Sequence, residues 1–218
     1  MGKLSDGIVA LDKTRVLAAV QAGLDAGQDP LALVDEARDG LVVVGEKYDQ
    51  GEFFLMELMR AAQIFQAAAT LLTPVIREKY GEVSTKGKVL IGTVAGDIHD
   101  LGKNVVKMLL ECQGVEVVDL GVDVPADVFV ERMRETRPDV VGMSALLTAS
   151  IPQMQATIEA IKAAGMGRSA KLIVGGGIAG EVALSEVGAD HAATDAIEGI
   201  RVISDWIESS RKMGSGDE

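Results

Sequence analysis

The sequence predicts two regions: an α/β domain built on a parallel, doubly wound sheet, and a small helical bundle that precedes it. Beyond residue 87, five short apolar runs alternate with segments of helical spacing, the pattern of a parallel sheet with right-handed crossovers. Before residue 80, apolar residues recur at helical spacing and no segment has strand character. The intervening segment 81–87 is polar and contains two glycines, so we expect a linker there.

Four helices are expected in the first region. Asp29-Pro30 supplies an N-cap and a first-turn proline for the second of them. Thr73-Pro74 repeats that signal and predicts a break before a short fourth helix. The predicted helices cover residues 4–24, 30 to about 48, 53–72 and 74–80.

The second region alternates strands with helices. Strands are predicted at residues 88–94, 115–120, 139–144, 171–174 and 191–193. Helices are predicted at residues 102–113, 125–136, 151–164, 178–187 and 196–210. The final residues are polar, so the expected organisation is a helical bundle over 1–85, an α/β domain over 86–212 and a disordered tail over 213–218.

Composition excludes several classes of function. The chain has 33 acidic and 21 basic side chains, a formal charge of −12, which argues against binding to nucleic acid or to an anionic membrane. Its single cysteine, Cys112, excludes an internal disulfide, and the sequence contains neither a signal peptide nor a membrane-spanning apolar run. We therefore expect a cytoplasmic protein whose partners are small molecules or other proteins.

The first strand of the α/β region leads into Asp97-Ile98-His99-Asp100-Leu101-Gly102. In open α/β sheets, ligands bind outside the carboxyl ends of the strands. A metal-bound imidazole almost always donates its other ring nitrogen to a carboxylate or a carbonyl. His99 is therefore a candidate metal ligand and Asp97 a candidate orienting group, although the segment taken alone also fits a solvated turn.

Two further strand ends carry residues suited to binding. The segment from Ser144 to Ser150 places three hydroxyls after the third strand, and Gly175-Gly176-Gly177 follows the fourth. Separately, Ser150 could be an ordinary helix N-cap, and the glycines could form a tight turn. Together with His99 they point to one crevice, whereas His191 has no second ligand near it and is expected to be structural.

The spacing of these blocks resembles the signature of a known family. Asp97-x-His99-x-x-Gly102, then 41 residues, Ser144-x-Leu146, 28 residues, and Gly175-Gly176 resembles the cobalamin-binding motif of corrinoid proteins that bind the cofactor base-off. The segments 44–48 and 51–58 resemble the helical cap that precedes this domain in methionine synthase and in small methyltransferase corrinoid proteins. Met56 departs from the proline of many relatives, and the resemblance covers residues 4 to 210.

The resemblance implies a Rossmann-like (flavodoxin-like) five-stranded sheet preceded by a four-helix bundle that caps the cofactor. It implies that His99 coordinates cobalt in place of the cofactor's own nucleotide base, with Asp97 and Ser150 continuing a hydrogen-bonded relay. Proton uptake by this relay would favour release, because a protonated imidazole cannot coordinate. The implied cofactor-binding residues are Asp97, His99, Asp100, Gly102, Gly121, Val122, Ser144, Leu146, Thr148, Gly175 and Gly176, with Phe54, Leu58 and Ala61 covering the upper face.

The function implied is that of a methyl carrier, not of a catalyst by itself. Its implied partners are a donor-specific methyltransferase, a second methyltransferase that serves tetrahydrofolate or coenzyme M, and a corrinoid-reductive activase. Methanol, methylamines, betaines and aryl methyl ethers all stay open as donors. Two alternatives share the motif: a subunit of an adenosylcobalamin mutase, which needs no helical cap, and a cobalamin-dependent regulator, which is paired with a DNA-binding module.

Overall fold

The structure is a computed structural model that describes residues 2–80, 85–180 and 187–214. The chain divides into two compact units, Met1–Ser84 and Thr85–Glu218. The first unit contains helices and the second contains the sheet with its flanking helices. No helix among the described residues combines the length and the apolar character needed to cross a membrane.

The helical unit contains α1 (Lys3–Val9), α2 (Lys13–Asp25), α3 (Pro30–Asp49) and α4 (Leu55–Tyr80). The prediction of one helix over residues 4–24 is wrong, because Leu11 adopts a left-handed conformation with φ of 56°. Asp12 then accepts a hydrogen bond from the backbone N–H of Arg15 and begins α2. The apolar spacing continues across the break, which hides it from a periodicity argument.

The predicted break at Thr73-Pro74 is also wrong, since α4 runs through Pro74. The Thr73 hydroxyl donates back to the carbonyl of Ala69, one turn earlier, and does not cap a new helix. Asp29, predicted to cap α3, makes no such bond; its carboxylate accepts from the Tyr80 hydroxyl at 2.6 Å. Asp29 therefore ties the end of α4 to the start of α3.

The α/β unit begins with β1 (Lys88–Thr93), α5 (Leu101–Cys112), β2 (Glu116–Asp119), α6 (Ala126–Thr136) and β3 (Val140–Ser144). It continues with a 3₁₀ turn (Thr148–Ser150), α7 (Ile151–Ala163), β4 (Lys171–Gly175), β5 (His191–Ala193) and α8 (Ala196–Gly214). Most of the helix predicted at 178–187 lies outside the described residues. Helix α8 extends two residues into the predicted tail, the rest of which is also not described.

All strand pairs are parallel, and the strand order is β2-β1-β3-β4-β5. This is the flavodoxin-like order, and it confirms the predicted fold class. The topological switch point lies between β1 and β3, whose connections leave toward opposite faces of the sheet. A crevice at the carboxyl ends of these two strands is where ligands bind in this architecture.

The strands read as continuous apolar runs because helices cover both faces of a parallel sheet. Leu90, Val141 and Leu172 lie in three adjacent strands and are at most 1% exposed. They belong to one buried cluster with Phe129 of α6 and Ile158 of α7. This packing makes the sheet a rigid support for the loops at its carboxyl edge.

Candidate functional site

The candidate site lies at the switch point, in the loops that follow β1, β2 and β3. The first two loops stay in register beyond the strands: Val94 pairs with Val124, and Thr93 N donates to Gly121 O at 3.0 Å. Val94 N donates to Ser144 O at 3.1 Å, which joins the third loop to the first. The sheet therefore brings the three sequence blocks to one edge.

Asp97 and His99 form the centre of the site. Asp97 Oδ1 lies 2.7 Å from His99 Nδ1 and accepts the backbone N–H of His99 at 3.0 Å. The Asp97 side chain is fully buried, whereas 48% of the His99 side chain is exposed. With Nδ1–H donated to the carboxylate, the lone pair lies on Nε2, which makes no hydrogen bond within the described part of the chain.

The second oxygen of Asp97 reaches across to the loop after β3. Oδ2 accepts the backbone N–H groups of Leu146 at 2.7 Å and Leu147 at 3.1 Å, and lies 3.5 Å from Ser150 Oγ. Burial by itself raises the pKa of Asp97, but hydrogen bonds from His99, Leu146 and Leu147 outweigh it and lower the pKa to about 2. The carboxylate is therefore ionised at neutral pH and holds two loops together.

Sequence reasoning missed the two backbone donors. The N–H groups of Leu146 and Leu147 carry no side-chain signal, so only the fold can place them on Asp97. Ser150, predicted as the next member of the relay, makes the longest of these contacts, at the outer limit for a hydrogen bond. Main-chain amides, more than the serine hydroxyl, set the orientation of the carboxylate.

A buried ion pair supports the same edge from the side of β2. Lys103, in the first turn of α5, is 3% exposed, and its ammonium donates to Asp119 Oδ1 at 2.6 Å. That oxygen also accepts the N–H of Gly121 at 3.0 Å. Burial raises the pKa of Asp119, but Lys103 and Gly121 outweigh it and lower the pKa. Sequence reasoning missed Lys103. Lys107 lies one helical turn later and 3.4 Å from Asp119, so the spacing of the two lysines could have indicated a shared carboxylate partner.

The predicted glycines have different environments. A Cβ added at Gly102 would have no atom within 4 Å, and one at Gly175 would make only an ordinary 3.7 Å contact with the carbonyl of Ala193. Gly176 has φ of 100°, and a Cβ there would overlap the carbonyl of Ala145. Gly102 therefore leaves open space beside His99, whereas Gly176 lets the loops after β3 and β4 approach each other.

The remaining predicted residues of the α/β unit lie in the same loops. Asp100 precedes α5 and accepts from Asn104 at 2.9 Å, Ser144 is half-buried at the end of β3, and Thr148 is exposed. Gly121 has φ of 87° and leaves open space. The exposed apolar side chains of this edge are Ile98, Leu101, Val122, Leu146 and Leu147. Such a surface fits a large and mostly apolar ligand.

The three residues predicted to cover the upper face belong to the helical unit. Phe54 precedes α4 and is 72% exposed, whereas Leu58 and Ala61 lie in α4 and are buried. Their contact with a cofactor stays a prediction. Among the described residues, no group of three or more His, Cys, Asp or Glu side chains is arranged to hold a metal ion.

Comparisons with known proteins show which family this chain resembles. Two family models match, each described as a B12 binding domain, over residues 87–201 and 2–73. Trimethylamine corrinoid protein 2 of Methanosarcina acetivorans is 35% identical, covering 92% of this chain and 94% of that protein.

Solved structures show the same likeness. A cobalamin-binding protein from Desulfitobacterium hafniense is 33% identical with a TM-score of 0.73, covering 93% of this chain and 96% of that chain. A chain of the methanol:cobalamin methyltransferase complex from Methanosarcina barkeri is 27% identical with a TM-score of 0.80, covering 94% of this chain and 78% of that chain.

Proposed function

The chain belongs to the family of B12-binding corrinoid proteins, and we propose that it carries a methyl group between two methyltransferases on a bound corrinoid. When bound, the corrinoid supplies the cobalt that takes up and releases the methyl group. The protein supplies the lower ligand, the binding surface and the contacts with its partners. It is a carrier subunit and does not activate the methyl donor itself.

The observation that carries this proposal is the pair formed by His99 and Asp97. A buried carboxylate holds Nδ1, so the half-exposed ring presents Nε2 as its free nitrogen. One imidazole suits a metal whose other ligands come from the cofactor's own ring. We propose that His99 Nε2 is the lower ligand and that the cofactor's nucleotide base is displaced from the cobalt.

The surrounding residues support such a ligand. The open space at Gly102 and the exposed apolar side chains of Ile98, Leu101 and Val122 would accommodate a broad apolar ring beside His99. Asp97 stays ionised at neutral pH because its pKa is about 2. The ionised carboxylate accepts a hydrogen bond from His99 Nδ1–H, so the lone pair stays on Nε2, where it can bind a metal.

The partners proposed are a donor-specific methyltransferase, an acceptor methyltransferase and a corrinoid-reductive activase. The similarity to the matched chain of the methanol:cobalamin methyltransferase complex and to the trimethylamine corrinoid protein supports a small methylated compound, such as methanol or a methylamine, as the methyl donor. The acceptor proposed is tetrahydrofolate or coenzyme M. In this arrangement the partners choose the substrates and the carrier presents the cofactor.

The lower ligand is tested by electron paramagnetic resonance of the cob(II)alamin form of the purified protein. One axial ¹⁴N nucleus splits the signal into triplets and one ¹⁵N nucleus into doublets. Uniformly ¹⁵N-labelled protein loaded with unlabelled cobalamin should give doublets, because the nitrogen belongs to the protein. His99→Ala should lose them, and the matched control His191→Ala should keep them. Triplets in the labelled wild-type protein would assign the ligand to the cofactor's own base and contradict the proposal.

The carrier role is tested by methyl transfer. The protein loaded with methylcobalamin should lose its methyl group to an acceptor only when an acceptor methyltransferase is added. Spectral conversion of the cofactor follows the reaction. Isolation of the protein with an adenosyl upper ligand, and no transfer with either partner, would support a mutase subunit or a regulator instead.

A further inference from the structure

Asp123, in the loop between β2 and α6, holds the turn that carries Asp97. Its carboxylate accepts the backbone N–H of Gly96 at 2.7 Å, and its own backbone N–H donates to the carbonyl of Asp97 at 2.9 Å. One residue thus clasps two consecutive residues of the neighbouring loop. Asp123 and Gly96 both have left-handed backbones, with φ of 54° and 80°.

This clasp lies beyond the contacts that already join the two loops. The pairing of Val94 with Val124 continues the sheet and ends before the turn. Asp97 N donates to Val94 O at 3.2 Å, and its carbonyl is held by Asp123, so the peptide groups on both sides of the Asp97 side chain are fixed. Because the Asp97 carboxylate orients His99 Nδ1, a shift of this turn moves the ring.

We propose that Asp123 is a positioning residue for His99 as the lower cobalt ligand, acting through the backbone of Asp97. The inference rests on the proposed function, since it concerns the ligand that function requires. Asp123 is exposed, so it acts through these two hydrogen bonds and not through core packing.

Three substitutions separate the acceptor from the backbone conformation. Asp123→Asn keeps an acceptor and tolerates a left-handed backbone, Asp123→Gly keeps only the backbone, and Asp123→Ala keeps neither. We expect Asp123→Asn to retain the wild-type ratio of histidine-bound to water-bound cobalamin. In Asp123→Gly, the loss of one hydrogen bond should shift that ratio about fivefold toward the water-bound form. The shift should be larger in Asp123→Ala, which also disfavours the left-handed backbone.

Asp139 provides a matched control at the opposite edge of the sheet. Its carboxylate accepts the N–H of Lys88 at 2.7 Å, and its own N–H donates to Lys88 O at 2.8 Å. Asp139→Gly therefore removes the same type of bond from the same sheet, far from His99 in the strand direction. It should lower stability while leaving the ligand ratio unchanged.

The ligand ratio is read from the absorption spectrum at full occupancy with hydroxocobalamin. A second measurement uses the apoprotein: exchange of the Gly96 amide with solvent should be about fivefold faster in Asp123→Gly than in Asp139→Gly. An unchanged ratio in Asp123→Gly, or an equal shift in Asp139→Gly, would overturn the inference and leave the proposed function standing. A wild-type protein without a histidine-bound form would overturn both.

Discussion

The two histidines of this chain each contact a carboxylate, yet their surroundings differ. His99 offers Nδ1 to Asp97, whose side chain is fully buried, while 48% of its own side chain is exposed. His191 offers Nε2 to Glu198 at 3.0 Å, and both side chains are partly exposed, at 30% and 37%. The His191 ring also packs edge-on against Trp206, with the ring centres 6.4 Å apart.

This difference separates a carboxylate that leaves the outer ring nitrogen of its histidine available from one that occupies it. The bond to His99 leaves Nε2, the nitrogen farther from the backbone, available to solvent or a ligand. The bond to His191 occupies that nitrogen instead. Glu198 also accepts the backbone N–H and hydroxyl of Thr194, both at 2.8 Å, at the start of α8. His191 therefore completes a helix start, whereas Asp97 serves the loops around His99.

Asp97→Asn should lower stability more than any other substitution at the two histidine sites. Both oxygens of Asp97 accept N–H donors, so the amide NH₂ would face at least one donor, and burial leaves no water to compensate. We expect a loss of about 3 kcal/mol in the free energy of unfolding. Glu198→Gln, the matched change at His191, should cost less than about 1 kcal/mol because the site is partly exposed. Urea unfolding of the apoproteins measures both, and equal losses would remove the distinction.

Acid should remove about 2 kcal/mol of the free energy of unfolding that Asp97 contributes. The pKa of Asp97 is lowered from 3.8 to about 2 in the folded protein, so its contribution is full above the unfolded-state pKa and disappears as pH falls toward 2. The stability difference between wild type and Asp97→Asn should therefore shrink between pH 5 and 2.

Urea unfolding at several pH values in this range checks the acid effect. Subtracting the variant from the wild type removes the contribution of the other carboxylates. The corresponding difference for Glu198→Gln should change less, although hydrogen bonds from Thr194 also lower the pKa of Glu198. A difference for Asp97 that does not vary with pH would contradict the account.

The smallest expected effect is that of Ser150→Ala. Its hydroxyl lies 3.5 Å from Asp97 Oδ2, which already accepts two backbone N–H groups, so stability should change by less than about 0.5 kcal/mol. Thr194→Val, which removes the 2.8 Å bond to Glu198, should cost about 1 kcal/mol. Thermal unfolding compares the stability losses of the two variants. A larger loss for Ser150→Ala would indicate that the serine hydroxyl is a genuine hydrogen-bonding partner in the relay.

Much of the α/β fold follows from the sequence because its signals are local. Apolar runs of strand length, followed by helical spacing, locate the five strands to within one or two residues, as at Lys88–Thr93 and His191–Ala193. The helices of the first unit were harder to predict. At Leu11 the helix breaks although the apolar spacing is regular, and at Pro74 a helix continues through a proline, which usually ends one.

The residue types of the site can be read from the sequence: a histidine two residues from an aspartate after β1, with hydroxyls and glycines after β3 and β4. Which groups contact Asp97 depends on the folded chain. Its partners include the N–H groups of Leu146 and Leu147, about 50 residues away, and the clasp by Asp123. Backbone amides are the same in every residue, so no side-chain pattern can identify them until the parallel strands bring the loops together.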